Sequence, residues 1–289
     1  MKKSQWIVIA AALLLVAAIY SFGRITPQKK NSSAAENQQH TSDDGHDHSV
    51  ASLSIDTILA MAKKNLSSEQ VIRINTLENS ISRGDVKDQQ LSVYHQLSHF
   101  WGDSARIFEP YAWYEAEAAR LENSEKTLTF AAHLFLENLQ QDRDATLIRW
   151  KAEQAKDLFE RSLKLNPDND SSKAGLGACY LFGNISATPM EGIAKIREVT
   201  ERDSTHVFAH MLLAKGAVLS GQNDKAIERL QRVHRLQPGN LEAILMLADL
   251  YERSGDKPNA IKWYRASLPH VTRADAKTEI EKRIRELNK

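Results

Sequence analysis

Two sets of histidines stand where ligand chemistry would need them. The stretch HTSDDGHDH sets His40, His46 and His48 beside Asp43, Asp44 and Asp47, and imidazole with carboxylate is a donor mixture that divalent transition metals accept. Farther on, His95 and His99 are one helical turn apart, and His133 stands 34 residues beyond His99. If those two stretches are neighbouring helices, three imidazoles converge within reach of a Zn²⁺ or Cu²⁺ ion. A second use stays open for both sets. A short polar His/Asp tract lacks the fixed geometry that selects an ion, and histidines on a solvated helix face also contact water or a bound partner.

Other reaction chemistries lack the residues to run them. A lone Cys179 rules out an internal disulfide and any multi-cysteine zinc or iron–sulfur site. It lies in a helix-like run between Gly177 and Phe182, the place of a small semi-buried apolar side chain. Gly175 and Gly177 open a helical run rather than follow a strand, so they are not a phosphate-binding loop, and metalloprotease and nucleophile-elbow patterns are absent. No catalysis and no cofactor are expected. Lys and Arg number 38 against 37 Asp and Glu; five of the former and four of the latter precede Ser54, leaving 33 of each. A neutral body lacks the basic excess that neutralises a phosphate backbone, so nucleic acid is not an expected partner.

What must position the histidines is a stack of amphipathic helices with a fixed period. Leu213 recurs as Leu247, Ala214 as Ala248, Gly221 as Gly255, Ala226 as Ala260, Ile227 as Ile261 and Leu230 as Tyr264, each 34 residues on. The alanines suit a close helix crossing that tolerates only small side chains. Gly221 and Gly255 end first helices, Asp224 and Asp256 are available to cap second ones, and Pro167 and Pro238 forbid continuation. With small residues at its eighth and twentieth positions, this 34-residue unit resembles the tetratricopeptide repeat, a helix pair that buries its apolar side only by stacking on neighbours.

Running the register backwards divides the chain into repeats at 91–124, 125–169, 170–206, 207–240 and 241–274. An insertion around QQDRDATLIRW lies in the second, and three added residues in GNISATPM in the third. A helix pair over 54–90 is expected to cap the amino-terminal end, and a helix over 275–289, with Ile280, Ile284 and Leu287 on one face, the other.

The resemblance implies an all-α, right-handed superhelical solenoid whose inner groove is lined by first helices and holds peptides or helices of other proteins. The groove positions it assigns include Ser92, His95 and His99, then Lys126, Thr129, His133 and Leu136, then Ser171, Ala174, Ala178 and Leu181. Units four and five supply Phe208, Met211, Lys215 and Val218, then Glu242, Leu245, Asp249 and Glu252. Members that clamp a terminal carboxylate carry Lys and Asn where this chain has His95 and His99, so that clamp is not expected. Ala174, Ala178, Leu181, Phe208, Met211, Val218 and Leu245 instead make an apolar stretch suited to an amphipathic helix or an extended apolar segment, with an adaptable methionine in it.

At the amino terminus Lys2 and Lys3 precede an uncharged run over 6–20 (WIVIAAALLLVAAIY) that extends to about residue 23. Its length falls between a signal-peptide core and a spanning helix, and the expectation is an uncleaved transmembrane signal anchor over 1–23. A polar tether over 24–53 follows, too poor in apolar residues to order itself. The chain then resembles membrane-anchored repeat proteins of Bacteroidota, which places it in a bacterial inner membrane, single-pass, with its body periplasmic. The expected function is a non-catalytic scaffold, assembly factor or chaperone for an envelope protein, of the kind that serves cytochrome maturation. The alternative is a metal-handling envelope protein that uses the tether and groove histidines.

Overall fold

The computed structural model describes residues 53–81, 86–185 and 189–289, all within the unit Ser49–Lys289. Helices α1 (Ile55–Lys63) and α2 (Ser68–Ile81) lead the stack. Five consecutive pairs follow: α3 (Lys87–His99) with α4 (Phe108–Glu122), α5 (Glu125–Leu139) with α6 (Ala145–Leu165), α7 (Asp170–Phe182) with α8 (Pro189–Arg202), α9 (Val207–Leu219) with α10 (Asn223–Leu236), and α11 (Leu241–Arg253) with α12 (Lys257–Ser267). Helix α13 (Ala274–Leu287) closes the end. Within each pair the two helices make the most extensive helix–helix contacts of the fold, and the whole is an all-α, right-handed solenoid.

Local sequence explains where the helices begin and end. Ser54, Ser124, Asp144, Asn169, Asn240 and Asp256 each accept a backbone N–H of the following first turn, satisfying donors that have no intrahelical partner. Gly221 and Gly255 stop α9 and α11 at φ 71° and 79°, a conformation that costs glycine nothing. Asp224 lies inside the first turn of α10, after a Gln222 cap that offers no side-chain bond.

Three elements depart from the regular pair. The bulk of α1 rests on α4, where Ile58 joins the buried cluster of Ala112 and Ala116, while Ala62 and Lys63 reach α2. Helix α3 continues into a π-helical turn, Phe100–Ala105, that closes at Arg106 with φ 55°. The wider turn lets two consecutive aromatic residues, Phe100 and Trp101, both face the core, edge to face at 5.4 Å. The insertion in the second repeat becomes extra amino-terminal turns of α6, which bury Trp150 and Lys151.

The crossing positions are small and fully enclosed. Ala214, Ala226, Ala248 and Ala260 have no exposed surface. In the pair α7–α8 the equivalent positions are Gly177 and Gly192, and a Cβ on Gly177 would fall 2.6 Å from the Gly192 carbonyl oxygen. A ring from α6, that of Phe159, likewise covers Gly175 so closely that a Cβ would sit 2.6 Å from its Cε2.

The expected single-pass inner-membrane placement, with its transmembrane helix, signal anchor, membrane contact through 6–23 and periplasmic body, is corrected. Among the described residues no helix is long and apolar enough to cross a membrane. The longest, α6, has 21 residues but carries Arg149, Lys151, Glu153, Lys156, Asp157, Glu160, Arg161 and Lys164, a composition no bilayer core accepts. The run over 6–23 and the tether with His40, His46 and His48 lie outside the described residues.

Candidate functional site

A cleft of about 670 Å³ opens between the end of α5, the start of α9 and the start of α11. Leu136, Phe208 and Met211 form its apolar floor, and Glu137, Gln140, Lys215, Asn240 and Glu242 its polar rim. The walls α5 and α9 belong to repeats two apart, because α7 between them turns small residues towards the cleft. Ala174 and Ala178 are entirely buried, in the same cluster as Leu136 and Leu212. With no bulk on that face of α7, α5 and α9 meet across it. The His133 ring packs edge-on against Phe208 at 5.0 Å, and Lys215 Nζ donates to Gln140 Oε1 at 2.7 Å and pairs with Glu242 Oε1 at 2.7 Å. One lysine therefore ties three repeats together at the rim.

The expected site residues are distributed as follows. Phe208, Met211 and Lys215 share the cleft. Leu181 is half-buried and packs on Gly216 in a separate cleft. Leu245 and Asp249 are half-buried on α11, with Asp249 paired to Arg253 at 2.8 Å. His95 lies 3.9 Å from Glu122, and His99 bonds Asp103 at 3.2 Å in a shallow recess beside the π turn. Gln140 and Asn240 join the rim without any signal in the sequence. A lysine whose partner lies 75 residues away leaves no periodic trace in the sequence.

Among the described residues no carboxylate or imidazole is bonded to His133. Its Nε2 meets Ser171 Oγ at 2.8 Å, and its ring sits between Phe159 and Phe208. Among the described residues no group of three or more His, Cys, Asp or Glu is placed to hold a metal ion. The three groove histidines thus occupy three separate environments, which weakens the metal-handling alternative. The Cys179 thiol is fully buried, and burial pushes its pKa up, away from the thiolate.

Burial lowers the pKa of both His133 and His210. His210 Nε2 donates to the Ser204 carbonyl at 3.0 Å and Nδ1 accepts from Arg229 at 3.2 Å, which fixes a neutral ring. With folded pKa values below the ordinary 6.5, the unfolded chain takes up these protons first. Stability is therefore full above about pH 6.5 and falls as the pH drops below it. Each ring contributes a slope of at most about 1.4 kcal/mol per pH unit. Urea titrations at stepped pH should show this decline, and His133→Gln and His210→Gln should each flatten it.

The stacked pairs define an all-α solenoid of helical repeats that carries this cleft. Residues 217–277 match the family model described as tetratricopeptide repeat. Among solved structures, a crystal structure of MamA protein shares 15% identity over 62% of this chain and 91% of its own, with a TM-score of 0.41. MamA from Desulfovibrio magneticus RS-1 shares 20% identity over 65% and 96%, at 0.41. YrrB, described as a TPR protein with an unusual peptide-binding site, shares 14% identity over 71% and 97%, at 0.40. No curated protein sequence matches the chain.

Proposed function

We propose that this protein is a non-catalytic scaffold that holds a segment of a client protein in the cleft between α5, α9 and α11. The observation that supports this reading is the cleft itself, an apolar floor of Leu136, Phe208 and Met211 within a polar rim that Lys215 bridges to Gln140 and Glu242. A floor of this kind desolvates apolar side chains, and a rim that can exchange hydrogen bonds sets register, the division of labour found at protein interfaces. The client segment is an amphipathic helix or an extended strand with one apolar side. His133 supports the floor through its contact with Phe208, and the buried Ala174 and Ala178 leave room for that contact.

Photo-crosslinkers at Phe208 and Glu242, compared with one at the exposed Lys164 on α6, test this in intact cells. The expected result is one discrete protein captured from both cleft positions and not from Lys164. Capture indistinguishable from the Lys164 control, or none, would remove the cleft as the working surface. With the captured client in hand, Phe208→Ala is expected to weaken binding on the order of tenfold or more, as loss of a central aromatic contact does.

A further inference from the structure

A second cleft, of about 390 Å³, lies between the second helices α8 and α10 and the end of α9. Its floor is apolar, made by Leu181, Ile193, Leu213 and Ala217. Gly216 keeps it open, since a Cβ there would come 2.8 Å from Leu181 Cδ2. At the mouth Met190 is 67% exposed, a large apolar side chain left mostly uncovered.

The charge around this floor is one-sided. Arg197, Lys225 and Arg229 line it against a single carboxylate, Glu228. Among the described residues none of the three cations is in an ion pair. Lys225 donates to the neutral amide of Gln222 at 2.7 Å, and Arg229 to the neutral His210 ring at 3.2 Å. On α7 and α8 the neighbouring cations are neutralised, Lys173 by Glu198, Lys195 by Glu191, and Arg202 by Asp168 and Asp170, whereas on α10 Arg232 donates to the Ser204 carbonyl and is in no ion pair among the described residues. Unpaired cations gathered around an apolar floor leave both the positive potential and the uncovered hydrophobic surface to be answered by something outside the chain.

We propose that this cleft docks an acidic amphipathic segment of another protein. An apolar side chain of that segment enters between Ile193 and Leu213, and its carboxylates meet Arg197, Lys225 and Arg229. The site is separate from the cleft of α5, α9 and α11, so the scaffold would carry two clients, or two parts of one, at once.

Fluorescence anisotropy of the full chain with three short labelled synthetic peptides tests it. The first alternates Leu or Phe with Asp or Glu, the second replaces the acidic residues by Lys, and the third replaces the apolar residues by Ser. The first peptide is expected to bind at least about tenfold more tightly than either other, and its affinity to fall as salt is raised. Arg197→Glu combined with Lys225→Glu, both at exposed positions, should weaken it about tenfold or more without moving the thermal melt. Phe208→Ala should leave it unchanged. Equal binding of all three peptides, no binding of the first, indifference to the charge reversal, or loss on Phe208→Ala would each overturn the proposal.

Discussion

Gly192→Ala is expected to lower the unfolding free energy by about 3 kcal/mol, and Gly177→Ala by a similar amount. In an ordinary helix the same change stabilises by about 1 kcal/mol, since glycine carries the larger backbone entropy cost. The sign is therefore diagnostic. Here the two helices touch backbone to backbone: a Cβ at Gly192 would collide with the Gly177 carbonyl oxygen and lie 3.1 Å from the Leu181 nitrogen. Neither obstacle is the end of a flexible side chain, so the whole of α8 must move away from α7. That movement would loosen Ile196 and Val199, which are fully buried on the face of α8 that meets the core. Chemical denaturation of the two variants measures this directly. A gain in stability from either would show that the α7–α8 crossing is wider than the structure has it.

Lys151→Met is expected to cost about 3–5 kcal/mol, the range for removing one partner from a buried ionic cluster. Lys151 is 1% exposed, and its ammonium meets Glu109 at 2.7 Å, Asp142 at 2.6 Å and Asn138 at 2.7 Å, 5.3 Å from the centre of the Phe108 ring. The cluster joins the start of α4, the end of α5 and the extra turns of α6. Burial pushes the Asp142 carboxyl up, but bonds from Lys151 and from the Asp144 and Arg143 amides pull it down further, and the net shift is downward. A lowered carboxylate contributes stability above its unfolded pKa, near 3.8, and loses it as the pH falls through the folded value. Methionine at 151 leaves two carboxylates without their cation, so the deficit should be largest near neutral pH and shrink in acid as the Asp142 carboxylate takes up its proton. Adding Glu109→Gln and Asp142→Asn should recover part of it at neutral pH. A deficit that is the same at neutral pH and in acid would assign the cost to packing rather than to charge.

Much of the fold was legible because it is periodic. The alanines at 214, 226, 248 and 260 announced the crossings and are all enclosed. Gly221 and Gly255 announced the left-handed stops and adopt them. The side-chain cap at Asp256 was readable for the same reason, since a cap acts on its own first turn. The π turn after His99 was not readable. It answers a tertiary demand, two adjacent aromatic rings in one core, that no spacing rule encodes.

The positions assigned to the groove divide between surface and interior. Phe208, Met211 and Lys215 come from one helical face and share a cleft, whereas Ala174 and Ala178 lie under it with no surface of their own. The histidines at 95, 99 and 133 keep the spacing that suggested convergence. They are drawn into different surroundings because Ser171, Phe159 and Phe208, all remote in sequence, claim His133.

By itself, then, the sequence determined which residues are small, which are apolar and how often they recur, and so the stack of helix pairs. Those properties act through neighbours within a turn or within one repeat, where chain geometry already sets the distances. Only the tertiary structure decided how closely each pair crosses. Glycine at 177 and 192 reads in sequence as one more small residue, yet it brings α7 and α8 into backbone contact. The same smallness on α7 lets α5 and α9 meet across it, and the cleft they form depends on contacts between residues as far apart as Gln140 and Lys215.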